Sequence, residues 1–283
     1  MTPPPQSTRD LETHFRFGEN WLDYSDSVDA THLEHSVNNL QRLFATSRLD
    51  GLRFLDIGCG SGLHSVAAAT LGAEVVSIDL DPQCITSTVR LSERFQVSDR
   101  ITVEQQSVFD LDPRYREAFD IVYSWGVLHH TGDMWTAIDQ ARTCVSPGGQ
   151  FALAIYRKLW CCGAWRIEKY LYSKLPPLLQ GVIRWPYTAV VDGVAALKRR
   201  QSPARFRREY KLSRGMSRDH DIHDWLGGYP YESASAEEIE AFMSARTFSP
   251  VRIFNAETVR FPRGWTGSGC VECVFHRDTE SPD

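Results

Sequence analysis

Three alternating glycines, Gly58, Gly60 and Gly62, follow an aspartate, Asp56, in the stretch "LDIGCGSG" at 55–62. Glycines so placed remove side chains where a backbone must turn tightly and let a ligand approach it. A dinucleotide loop sets its glycines at the first, third and sixth positions; here the sixth is Leu63, so the spacing departs from a pyrophosphate loop. Asp79 closes an apolar run 23 residues after Asp56. A carboxylate at that position can accept two hydrogen bonds at once. His129 and His130, in "SWGVLHH" at 124–130, are candidate general bases, because an unperturbed imidazole is largely neutral at pH 7. Further on, "RDHDIHDWLGGYPYE" at 218–232 gathers two histidines, three aspartates, one tryptophan and two tyrosines. His220 with His223, and Asp221 with Asp224, have the i, i+3 spacing that puts each pair on one helix face within reach of a divalent ion. A helix stops at "LGGYP", however, and a catalytic metal needs a third ligand from elsewhere, so no metal is assigned.

Elements that hold these residues follow from periodicity. Between about 52 and 156, short β-branched runs alternate with helical patterns, the mark of a parallel sheet covered by helices. The runs "LRFLDIG", "EVVSIDL", "RITVEQQ", "DIVYSWG" and "GQFALAIY" are the five strands, and helices fall near 62–72, 82–96 and 134–145. Thr131 or Asp133 caps the last helix, and "SPGG" at 146–149 turns the chain into the fifth strand. Two later runs, 250–257 and 270–275, suit an antiparallel pair on the same sheet. The expected fold is α/β: a doubly wound, Rossmann-like sheet of seven strands, five parallel and two in a C-terminal hairpin, with a helical cap inserted. Its parts are an arm (1–50), the core (51–156), the cap (157–245) and the strand pair (246–283).

Composition narrows the function. A chain of 283 residues that is 42% hydrophobic has enough apolar content for one core with additions. A net charge of −5 gives no overall basic excess for a nucleic-acid backbone, so nucleic acid is not an expected partner. The proline-rich start, "MTPPPQSTRDLETHF", has no apolar h-region, and no apolar run reaches the ~18–20 residues that span a bilayer, which predicts a cytoplasmic protein. Seven cysteines without regular spacing fit reduced thiols. Cys270 and Cys273 in "CVECVF" would face opposite sides of a strand, which argues against a zinc or redox pair.

Taken in order, these motifs resemble the class I S-adenosylmethionine (SAM) dependent methyltransferases, in a branch described as ubiquinone- or menaquinone-biosynthesis-like. The match covers about 52–156, with the hairpin extending it. The resemblance implies SAM as cofactor and assigns Asp56, Gly58, Cys59 and Gly60 to its binding loop, Asp79 to its ribose, and Leu80 to the cofactor site beside it. "QQSVFD" at 105–110 is then the adenine turn, with Ser107 where many relatives carry aspartate and Val108 offering an amide; Asp110 is the alternative to Ser107. Trp125 and Gly126 lie beside the cofactor and the reacting centre. In "FRFGENWLDYS", 15–25, Phe17, Trp21 and Tyr24 fit a segment that closes over SAM, with Tyr24 close enough to the chemistry to join His129 and His130 as a catalytic candidate. The alternative for that segment is an amphipathic helix docked on the sheet edge. The 218–232 block resembles the segment leading from cap to sheet in that branch, which makes Asp224, Trp225, Tyr229 and Tyr231 a substrate wall.

Within the cap, 159–197 is rich in apolar and aromatic residues, whereas "KRRQSPARFRREYKLSR", 198–214, holds eight Lys or Arg against one Glu. A solvated basic helix, an anionic substrate and weak membrane-surface contact through 178–214 are all open. Three functions remain: methyl transfer to an O, N or C atom of a small molecule, a cyclase or lyase that consumes SAM, and non-catalytic SAM binding. Neither the acceptor nor the oligomeric state is legible.

Overall fold

The computed structural model describes residues 17–214, 218–255 and 269–279. Its sheet has seven strands in the order β3-β2-β1-β4-β5-β7-β6. These are β1 (Arg53–Ile57), β2 (Glu74–Asp79), β3 (Ile101–Gln105), β4 (Phe119–Trp125), β5 (Val145–Tyr156), β6 (Phe248–Phe254) and β7 (Cys270–Arg277). The first five run parallel; β7 pairs antiparallel with both β5 and β6. Strand order reverses between β1 and β4, which opens a crevice beyond their carboxyl ends, the usual ligand position in such sheets.

Two apolar layers cover the sheet because side chains alternate across a strand. From β1, Leu55 and Ile57 join Val122, Ile138, Phe151 and Leu153 in one layer. Phe54 turns the other way and meets Ile121, Tyr123 and the N-terminal helix residues Leu40 and Leu43. The arm consists of α1 (Phe17–Asp26) and α2 (Ala30–Phe44), the latter started by a capping box between Asp29 and His32. Core helices are α3 (Leu63–Thr70), α4 (Pro82–Arg94) and α5 (Met134–Arg142). Asp133, not Thr131, caps α5, its carboxylate accepting the Thr136 N–H.

Four helices form the cap: α6 (Cys162–Ser173), α7 (Pro177–Lys198), α8 (Pro203–Arg214) and α9 (Arg218–Gly227). The next helix, α10 (Ala236–Ser244), departs from the expected boundary. Its Ile239 and Met243 are buried in the main core with Phe248, Cys273 and Phe275, so it belongs to the sheet layer. The insertion therefore ends before Ser235. Among the described residues no helix is long and apolar enough to cross a membrane.

Candidate active site at the switch point

All three loop glycines have positive φ, and each meets a different constraint. At Gly58 (φ +76) a Cβ would stand 2.4 Å from the Val127 side chain, and at Gly62 (φ +83) 2.6 Å from the Thr88 Cα. These two let the loop lie against β4 and α4. At Gly60 (φ +55) the nearest neighbour is the Trp21 ring, 3.5 Å away, so this glycine faces the arm across a narrow gap. Cys59 turns its thiol away, to 3.2 Å from the Thr88 hydroxyl, and presents only its backbone.

Asp79 locks the loop to β2. Its Oδ2 accepts the Gly60 N–H at 3.0 Å and its Oδ1 accepts the Asp81 N–H at 2.9 Å. Burial raises the Asp79 pKa, and these two amides oppose that rise. Asp56 lies deeper and accepts the Ser65 hydroxyl at 2.6 Å. Burial pushes its carboxyl up to about 7, against the Ser65 bond, with the Asp79 charge adding to the rise. Leu80 lies beside Asp79, its carbonyl accepting the Gln105 amide at 3.0 Å. In the adenine-turn segment, the Ser107 hydroxyl accepts the Phe109 N–H at 3.2 Å, Val108 is buried and Asp110 is exposed.

The arm docks on this loop. Asp81 both caps α4 through the Gln83 N–H and accepts the Gly18 N–H at 3.1 Å, tying α1 to the end of β2. Trp21 thereby lies over Gly60, while the Phe17 side chain is outside the described residues. Tyr24 corrects the expectation: it is only 3% exposed, packed with Val28, Leu63, Val66 and Leu91. Burial, and then the Asp29 charge, raises its phenol above the ordinary value. That removes Tyr24 from the bases and makes it the anchor of the arm.

On the β4 side, Gly126 (φ +78) borders open space: a Cβ there would have nothing within 4 Å. Trp125 stacks on Tyr123 at 5.3 Å and joins the layer beneath α2, a packing role for its ring. The two histidines separate. His129 is 0% exposed; its Nδ1 accepts the Tyr156 N–H at 3.3 Å and its ring lies 3.9 Å from the Tyr156 ring. Burial, and then His130, depresses its pKa well below the usual value, which keeps it neutral. A substrate cannot reach a wholly enclosed ring, so His129 is corrected to a packing residue. His130 donates from Nδ1 to the Pro230 carbonyl at 2.8 Å, a bond that fixes the neutral tautomer with Nε2 as its basic atom.

Pro230 belongs to the block 218–232, and this block is pinned to β4 and β5. Glu232 donates its N–H to the His129 carbonyl at 3.0 Å, and its carboxylate accepts the Met134 N–H at 2.9 Å. Ala234 and Tyr156 bond through their backbones at 3.0 Å. Trp225 and Tyr231 stand 5.5 and 5.3 Å from the Tyr156 ring, so they meet the strand end that also carries the histidines. The Trp225 indole N–H is enclosed and has no acceptor among the described residues. Tyr231 donates to the Cys162 thiol, and Tyr229 packs on Tyr170 of α6. The side chains of His220, Asp221 and Asp224 lie outside the described residues, and His223 Nδ1 is 3.1 Å from the Tyr172 hydroxyl. Among the described residues no group of three or more His, Cys, Asp or Glu could hold a metal.

Sequence reasoning missed three members of this wall: Tyr156, Trp165 and Lys169. Lys169 is buried, its ammonium 3.5 Å over the Trp225 ring, and Trp165 meets the same ring edge-on at 5.1 Å. The i, i+4 spacing of Trp165 and Lys169 was the available signal. An open depression bordered by Arg48, Asp120 and Gln150 lies at the opposite, amino ends of the strands, away from all these groups.

Residues 55–151 match the family model described as a methyltransferase domain. A ubiquinone biosynthesis O-methyltransferase of Xanthomonas campestris pv. campestris is 33% identical over 160 residues, 54% of this chain and 66% of that one. The protein of the same name from Nitrobacter winogradskyi is 32% identical over 149 residues, 52% of this chain and 54% of that one. The matches thus span between about half and two thirds of these relatives' length. Among solved structures, a magnesium protoporphyrin IX methyltransferase from Synechocystis PCC 6803 with bound SAH shares the fold, with TM-score 0.52 and 16% identity over 88% of this chain and 84% of that one.

Proposed function

We propose, from the premise that the core is a class I SAM-dependent methyltransferase domain, that the whole chain transfers a methyl group from SAM to a small-molecule acceptor. One observation carries this reading: the glycine loop, the Asp79 carboxylate and the Trp21 ring meet at the switch point of the sheet.

The residues fit the cofactor. The bare backbone of Gly58–Gly62 accepts a ligand at close range, Trp21 covers it, and each Asp79 oxygen keeps a second lone pair for a ribose hydroxyl after its amide bond. Ser107 and Val108 border the adenine. SAM, when bound, supplies an electrophilic methyl on a good leaving group. The chain's own task is alignment and exclusion of water. Tyr156 and Trp225 form the apolar wall that orients the acceptor, with the buried Tyr231 packed behind them. Tyr229 completes the proposed acceptor side, and Asp224 is assigned to it from its place in the same sequence block alone. His130 takes the acceptor's proton at Nε2, while the Pro230 carbonyl holds Nδ1–H and stabilises the imidazolium that forms.

The test is incubation of the full chain with SAM alone and with pools of small acceptors, followed by mass analysis of the nucleosides. S-adenosylhomocysteine in step with a methylated product is expected. Methylthioadenosine from SAM alone, or SAM binding with no turnover in any pool, would overturn methyl transfer. For the base, His130→Gln should lower kcat by about a hundredfold or more with SAM affinity unchanged. Unchanged kcat would free His130 from that role.

A further inference from the structure

Helix α7 leaves much of its apolar surface in the open. Along its inward stripe Thr188, Asp192 and Ala196 follow at i, i+4 and i+8, and all three are buried. Asp192 is only 1% exposed and takes an ion pair from Arg207 of α8. At the other end the Gln180 amide donates inward to the carbonyls of Tyr172 and Leu175. Apolar side chains along the rest of the helix are open: Leu178 and Trp185 are 81% and 78% exposed, and Val182, Val190 and Leu197 are exposed as well. An ordinary surface helix does the reverse, burying its apolar stripe. Water is therefore the wrong solvent for this surface, and the exposed residues cluster along one helix instead of being scattered.

Charge tells what covers it. Residues 159–214 contain twelve Lys or Arg and three Asp or Glu, within a chain whose net charge is −5. Arg199, Arg200, Arg205 and Arg208, immediately beyond the apolar face, are exposed. Two copies of the chain joined through this face would bring like charges together. A bilayer with anionic headgroups satisfies both features, since its acyl boundary takes the apolar face and its headgroups take the guanidinium groups. The helix is not apolar enough to cross, so it lies in the interface. We infer that α7 and the following basic segment dock the protein on an anionic membrane surface. This inference is independent of methyl transfer.

Vesicle co-sedimentation of the full chain without SAM tests it, using phosphatidylcholine vesicles with and without phosphatidylglycerol. The wild type should sediment with the anionic vesicles and much less with the zwitterionic ones. Val182→Asp combined with Trp185→Asp should weaken this binding by about tenfold or more, with Tm and SAM affinity unchanged. Arg199→Glu with Arg200→Glu should abolish the preference for anionic vesicles, and this pair serves if the first variant folds poorly. The inference is overturned if the wild type stays in the supernatant with both vesicles or if both variants bind as the wild type does. It is also overturned if Val182→Asp/Trp185→Asp disperses a dimer while vesicles recruit neither form.

Discussion

Helices α5 and α7 face opposite ways. The first turns Met134, Ala137, Ile138 and Ala141 onto the sheet and leaves its polar residues outside. The second turns Thr188 and Asp192 inward and leaves Trp185 and Val190 in the open. A core helix is held by the area it removes from water, whereas α7 packs Tyr187 and Ala196 into small apolar clusters, adds the Asp192 ion pair and leaves much of its apolar surface open. The two regions should therefore answer the same mutation differently.

The largest contrast comes from truncating apolar side chains. Ile138→Ala should cost roughly 2–4 kcal/mol by leaving a cavity, whereas Val182→Ala should change stability by less than about 0.5 kcal/mol. Chemical denaturation of both variants measures this, and a costly Val182→Ala would break the contrast by showing that its face is packed. Adding a methyl group sharpens it. Gly62→Ala must clash with the Thr88 backbone at a positive φ, so a loss of roughly 1–3 kcal/mol is expected, together with loss of SAM affinity. Gly181→Ala in α7 meets nothing within 4 Å and should stabilise by about 0.5–1 kcal/mol, read as a higher Tm.

A further contrast concerns pH. Asp56 has its folded pKa raised from 3.8 to about 7, so its contribution is fully present below the lower value and is lost as pH rises through the upper one. Thermal melts should show wild-type stability falling across that window, and Asp56→Asn should flatten the fall and melt higher than the wild type at pH 8. An unchanged slope would mean that another group dominates.

Much of the core is legible in the sequence because each β-branched run ends at a turn whose chemistry is local. The alternating glycines, the "SPGG" turn and Asp133 as a cap all signal their structure within a few residues. Legibility fails where distant contacts decide. Nothing around Tyr24 states that Val66 and Leu91 will enclose it, and His129 and His130 are indistinguishable until Tyr156 closes over one and Pro230 meets the other. Helix α10 reads as part of the cap because its own pattern cannot say which apolar surface it covers.

By itself, the sequence determined the parallel strands, the glycine loop with Asp56 and Asp79, and the basic character of the segment after 197, because these depend on residue type and short-range spacing. Only the tertiary structure decided that Trp21 covers Gly60, that His130 bonds the Pro230 carbonyl while His129 is wholly enclosed, and that the tyrosine-rich block closes on Tyr156. It also decided the orientation of α7. A helical pattern does not say which residues turn inward; here Tyr187, Asp192 and Ala196 meet other helices of the cap.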